Sequence, residues 1–307
     1  MNNERTIFAP VALFVYNRLS HTKQVINSLK NNKLCSSTDL IIFSDGPKDD
    51  SDKNRVNEIR SYLKKIDGFR SIKIIEKEKN IGLAKSIIDG VSDVIKTYGK
   101  IIVLEDDIEV SKDFLEYMNH SLNFYKEKKK VWHINSWSLG IEDPSINDYF
   151  FVWQMSCWGW GTWEDRWNHF KKDPDQIISN WSKKEIYEFN LDGSQNYFNQ
   201  IRLNHKEKID TWAVFWGATI FNNKGLSFTP RSPFSKNIGF DGSGVHCDSY
   251  DPWSPQVKEF KKNNTYIFPE IIEENKIAAY KIKEFYRKNF FKKIISKFQN
   301  LIKNFKL

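Results

Sequence analysis

The chain has no long apolar run, only three cysteines and only three methionines in 307 residues. Without about 18 consecutive apolar residues, no segment reads as a membrane-spanning helix. Cys35, Cys157 and Cys247 are odd in number and show no CxxC spacing. That pattern gives no disulfide framework, and a reduced, cytoplasmic chain is the simplest account. The opening MNNERTIFAP lacks a charged-then-apolar leader, so no signal peptide is expected. No repeat of fixed period appears, which excludes a solenoid.

A basic face is missing too, although the net charge is +8. Residues 276–307 hold ten of the 47 basic residues and one of the 39 acidic ones, leaving 37 against 38 elsewhere. The body is neutral, so nucleic acid is not an expected partner. What the chain does have is aromatic mass. Eleven tryptophans and 40% hydrophobic residues are enough for a packed core. Tryptophans also line sugar sites, where flat rings meet pyranose faces.

The first 110 residues alternate apolar runs with helical periodicity. APVALFVYNR is a buried strand ending at Tyr16-Asn17-Arg18, and Ser20 is placed to cap a helix from about His21 to Asn31. TDLIIFSDGPKDD is a second strand with a Ser-Asp-Gly-Pro turn, followed by a helix from about Lys53 to Ile66. A third strand, a Gly-containing loop and a third helix lead to the fourth strand, KIIVLEDD. This order predicts an α/β fold, a parallel sheet with helices on both faces. Ligands of such sheets sit beyond the carboxyl ends of the strands. Here those ends are Asn17 and Arg18, Asp45, the loop at Asn80, and Glu105 to Asp107.

The three carboxylates at Glu105, Asp106 and Asp107 follow a strand apolar from Ile101 to Leu104. Like charges this close repel, and desolvating them is costly. A bound cation relieves both problems; plain exposure at a sheet edge is the alternative. Alternation along a strand would put Glu105 and Asp107 on one side and Asp106 on the other.

Beyond Asp107, SKDFLEYMNHSLNFYKE reads as a helix capped by Ser111. VWHINSW and DYFFVWQMSCWGWGTW read as extended, 174–205 as mostly helical, and RSPFSKNIGFDGSGVHC as a loop. Taken in order, VYNR, FSDG, LEDDIEVSKDFLEY, VWHINSW, CWGWGTW, KIDTWAVFW and PRSPFSKNIGFDGSG form a pattern. It resembles inverting, nucleotide-diphospho-sugar glycosyltransferases with the GT-A fold. In particular it resembles the N-acetylglucosaminyltransferase I family and bacterial family 2-like sugar transferases. The resemblance runs from about Val11 to His246.

It implies a GT-A catalytic domain over 1–270, with 1–110 as the nucleotide-binding half and 111–270 as the acceptor half and closing loop. Residues 271–307 would be a basic amphipathic tail. By resemblance Arg18 contacts the donor, Asp45 the uracil, and Lys85 joins the donor contacts. Asp107 would hold a divalent metal, Mn2+ or Mg2+, Asp106 the ribose or sugar, and Glu105 would support them. Late histidines bind the metal in many GT-A enzymes, which makes His246 a second ligand candidate; a plain loop histidine is the alternative. Trp158 and Trp160 fall in the acceptor-side segment. The base-bearing segment falls on Asp210, with Thr211 where the family has a second acid and Trp212 and Trp216 placed to exclude water and stack on acceptor sugar. Ser235, Lys236 and Asn237 would form a lid with Gly239, Gly242 and Gly244 as hinges, Lys236 adding charge beside the diphosphate.

Sugar transfer needs the leaving diphosphate neutralised, the acceptor hydroxyl deprotonated and water kept out. The expectation is a metal-dependent inverting transferase using a UDP-sugar, UDP-GlcNAc by resemblance alone. From Phe290 onward apolar and lysine residues recur at helical spacing, as in a membrane-surface helix. That fits a lipid-linked saccharide acceptor in bacterial surface-polysaccharide assembly, with the enzyme peripheral on the inner face of the membrane. Two alternatives stay open. A sugar nucleotidyltransferase would carry a Gly-rich basic loop that YNRLSHTKQ lacks, and a non-catalytic carbohydrate-binding module would bind saccharide without metal.

Overall fold

The structure, a computed structural model, describes residues 8–242 and 266–288. Its first half is β1 (Val11–Val15), α1 (Leu19–Lys30), β2 (Asp39–Ser44), α2 (Asp50–Leu63), β3 (Ser71–Glu76), α3 (Leu83–Tyr98) and β4 (Lys100–Glu105). After a turn come β5 (Ile108–Val110), α4 (Phe114–Phe124), β6 (Val131–Asn135), β7 (Tyr149–Val152) and β8 (Trp160–Trp163). Short helices α5 (Glu164–Trp167), α6 (Pro174–Asn180), α7 (Lys183–Phe189) and α8 (Tyr197–His205) precede α9 (Ala213–Asn222), β9 (Leu226–Pro230) and β10 (Ser235–Asn237). Residues 276–288 are helical.

Eight strands form one mixed sheet in the order β3-β2-β1-β4-β8-β6-β9-β7, and β10 pairs with β5 in a small second sheet. The β3-β2-β1-β4 block is parallel, and β8 runs antiparallel against both β4 and β6. Helices cover both faces because the middle of each central strand is apolar on both sides. Val11, Leu13 and Val15 point into a core with Val25 and Ile26 of α1 and Leu115 and Met118 of α4. Ala12 and Phe14 point into the opposite core with Ile87 and Val91 of α3 and Trp216 of α9.

Several local expectations are corrected. Ser20 does not cap α1; Arg18 stands at the N-cap and makes no side-chain cap bond. Asp49 caps α2, its carboxylate accepting from Ser51 N, so that helix starts at Asp50. Ser111 does not cap α4 either; Asp113 holds the N-cap position and the Ser111 hydroxyl is buried without a hydrogen-bond partner. The chain also stays packed past 270. Ala278, Ala279 and Ile282 are buried against Leu139, Ile146, Phe150 and Val152, so the boundary expected at 270/271 crosses a core.

Candidate active site

The parallel register sets Val15 beside Ser44 and Phe14 beside Glu105. The carboxyl ends of β1, β2 and β4 therefore open onto one rim, which carries Arg18, Asp45 and the acidic turn. Strand β4 stops at Glu105, and Asp106 and Asp107 form a turn before β5. That break overturns the expected alternation. Asp106 and Asp107 converge on one guanidinium: Arg18 Nη2 donates to Asp106 Oδ1, and to Asp107 Oδ2 at 2.9 Å.

Both aspartates are buried. Burial alone would loosen the hold of Arg18 on its proton, but the two carboxylates outweigh it and strengthen that hold. Burial pushes the Asp106 carboxyl upward, against the pull of Arg18. Glu105 is pushed up to about 8 by burial, then by Asp107 and Asp106. Asp106 Oδ2 is buried and accepts no hydrogen bond. Such an atom is costly unless a donor or cation meets it.

A strap crosses this turn. β10 runs antiparallel to β5 with Asn237 opposite Ile108, and Ile238 N donates to Asp107 O at 2.8 Å. A Cβ on Gly239 would lie 2.5 Å from Asp107 Oδ2 and 3.1 Å from Arg18 Nη1, so only glycine lets the backbone lie this close. His21 Nε2 lies 3.2 Å from Asp241 Oδ2 and ties the strap to α1. The expected lid is thus in part a strand. Ser235 is fully buried, its hydroxyl donating to Trp158 O at 2.6 Å and bonded to Ser136 Oγ at 2.7 Å. It holds the strap and faces no open space. Lys236 pairs with Glu109 at 2.8 Å. Of the two expected hinges within the described residues, Gly242 has a left-handed φ, at 81°, and Gly239 does not. His246, Gly244 and Cys247 lie outside the described residues, as does the tail from 289.

The other expected site residues are dispersed. Asp45 is buried and its carboxylate accepts from Gly46 N at 2.8 Å, Ile81 N at 3.0 Å and Gly82 N at 3.1 Å, binding the loop before α3. Lys85 is exposed and pairs with Asp89 at 2.9 Å. Asp210 is exposed, paired with Lys172, and precedes α9 without capping it; Trp212 holds that N-cap position. Trp160 and Trp212 are core residues, their rings stacked 5.2 Å apart and buried among Trp167 and Trp216. Their faces are already covered by protein, which corrects their acceptor role. Trp158 is only partly buried and borders a cavity.

His133 is also core. Its Nδ1 accepts from Trp216 Nε1 at 3.0 Å and its Nε2 lies 3.2 Å from Ser156 O, a pairing that needs the neutral ring. Among the described residues no group of three or more His, Cys, Asp or Glu side chains is arranged to hold a metal alone. Sequence reasoning missed His21 and the contact made by Gly239, because their partners lie far away in the chain.

Residues 2–149 match the model of the GNT-I family, a span that carries Arg18, Asp45 and the acidic turn. No curated protein matches the chain. Among solved structures it is similar to S. aureus TarS, at 15% identity and a TM-score of 0.29, over 41% of this chain and 21% of that one. It is similar to the glycosyltransferase GlyE of Streptococcus pneumoniae TIGR4, at 11% identity and a TM-score of 0.37, over 72% of this chain and 45% of that one. A third is the mannosyltransferase PcManGT from Pyrobaculum calidifontis, in complex with GDP-Man and Mn2+, at 7% identity and a TM-score of 0.35 over 71% of this chain and 70% of that one. The chain spans less than half the length of the first two. The family match supports a glycosyltransferase of the GNT-I-like type.

Proposed function

We propose that the chain transfers a sugar from a UDP-sugar to a saccharide acceptor, with inversion and with a divalent metal. The observation that carries this is the buried Asp106–Asp107 turn at the sheet's carboxyl rim, with one carboxylate oxygen unpartnered. The acids of this turn offer only oxygen donors, which suits Mn2+ or Mg2+. These ions take one or two carboxylates and complete their shells with phosphate and water, so the small number of acids fits. Asp107 would hold the metal, with His246 a second candidate, and the metal would supply Lewis acidity at the diphosphate.

The chain's own residues do the rest. Arg18 brings a fixed positive charge to the leaving diphosphate, Asp106 orients the donor sugar, and Asp45 fixes the loop beside the base. Lys85 and Lys236 are exposed cations on the donor side. The strap over Asp107 keeps water from the donor. Asp210, ahead of α9, takes the proton of the acceptor hydroxyl once it leaves Lys172. GlcNAc as the sugar, a lipid-linked acceptor and bacterial surface-polysaccharide assembly extend this reading. Among the described residues no helix is long and apolar enough to cross a membrane. Exposed Ile277 and Tyr280 on the helix over 276–288 support contact with a membrane surface.

The test is calorimetry with UDP, with and without Mn2+, on the chain and on Asp107→Ala. The expected result is metal-dependent binding that the substitution abolishes. Equal binding in the mutant, or none in either protein, sinks the reading.

A further inference from the structure

A cavity of about 280 Å³ opens beside Trp158. Six aromatic side chains border it: Trp137, Trp153, Trp158, Phe189, Tyr197 and Tyr286. Among the described residues its other polar side chains are all neutral, Gln154, Ser156, Cys157 and Gln200, and no charged one lines it. A diphosphate or an acidic sugar would enter it with an uncompensated charge, which burial penalises heavily. An alkyl chain would bring no hydrogen-bonding group to the Gln154 and Gln200 amides at its border. A neutral pyranose satisfies both conditions, with its C–H face on indole or phenol rings and its hydroxyls on the amides.

The cavity shares a wall with the candidate active site. The Trp158 ring meets Phe240 of the strap edge-on at 5.8 Å, and its carbonyl accepts from Ser235. Ala213, the first residue of α9 and three places after Asp210, lines it too. We propose that the cavity binds one neutral, uncharged sugar ring of the acceptor, a proposal that rests on the transferase reading.

Cys157 provides the reporter, because its thiol lines the cavity, while Cys35 is buried elsewhere and serves as a reference. The full chain is treated with iodoacetamide and each cysteine is followed by peptide mass spectrometry. Methyl N-acetylglucosaminide, glucuronic acid and hexanol are the probes. The neutral glycoside is expected to slow Cys157 alkylation about tenfold at roughly ten times its Kd, by mass action. Glucuronate should not slow it, and Cys35 should be unaffected by any probe.

Gly217→Leu supplies the control. A Cβ at Gly217 meets Met155 and Phe189 only at 3.8 and 4.0 Å, so the first atom of a side chain there meets no clash, and leucine would extend from it toward the cavity that Gly217 lines. Saturation-transfer signals from the glycoside should vanish in this variant while UDP binding persists. Protection by hexanol alone, equal protection by glucuronate, or no protection overturns the proposal. Glycoside protection in a chain that fails to bind UDP keeps the sugar site and overturns the transferase reading. UDP binding without protection does the reverse.

Discussion

At the residue scale, the acidic turn depends on Arg18 as much as on its carboxylates. Arg18 reaches both Asp106 and Asp107 from one nitrogen. Lysine has a single compact ammonium on a flexible stem, so Arg18→Lys should weaken UDP–Mn2+ binding by about tenfold or more, read by calorimetry. Gly239→Ala tests the strap independently. The new Cβ must displace Asp107 Oδ2, which Arg18 already pins. Its expected effect is a loss of UDP affinity of about tenfold with a Tm within a few degrees of the parent. Unchanged affinity would mean that the strap leaves Asp107 when the nucleotide binds. The acidic triplet and Arg18 are legible in the sequence because charge after a buried apolar strand is locally unusual. Trp160 and Trp212 mislead because a tryptophan's neighbours, and not its own identity, decide whether its face is free. Ser235 misleads because its partners, Ser136 and Trp158, are distant in sequence.

At the scale of elements, β6, β8 and α9 are joined by an aromatic block around His133. That ring stacks on Trp160 at 5.3 Å and is locked neutral between Trp216 and Ser156. Burial holds its pKa down to about 3, against an ordinary 6.5. The unfolded chain therefore binds this proton more readily between those values. Stability rises with pH through that window and falls on acidification, by about 1.4 kcal/mol per pH unit once below 6.5. Urea unfolding from about pH 6.5 to about pH 4.5 should show the fall. His133→Gln, which keeps an acceptor and a donor, should flatten it by that amount. Parallel slopes in the two proteins would show that other groups set the acid limit. The parallel half of the fold is legible because β1, β2 and β4 have unbroken apolar centres and each is followed by a helical or turn signal. β10 is not, since Ser-Lys-Asn carries no strand signal and is extended only because β5 lies beside it.

On the scale of the whole molecule, the helix over 276–288 closes the half of the fold that follows β5. Its Ala278, Ala279 and Ile282 bury against the 137–152 region, Asn275 N donates to Phe151 O at 2.8 Å, and Lys283 pairs with Asp192 at 2.6 Å. Tyr286 adds a wall to the neutral cavity. Charge and periodicity in the sequence group this segment with a detachable tail, because lysines mask the small apolar stripe that docks it. A chain ending at 270 loses the burial of those three side chains, about 3–5 kcal/mol on transfer values. It also exposes Leu139, Ile146 and Phe150. The expected loss in Tm is on the order of 10 °C, with glycoside protection of Cys157 abolished and UDP binding retained, because Arg18 and Asp107 sit on the opposite half of the sheet. Differential scanning calorimetry and UDP titration of the shortened chain decide the matter. An unchanged Tm would show that the helix adds nothing to the body, and lost UDP binding would show that the two halves fold as one unit.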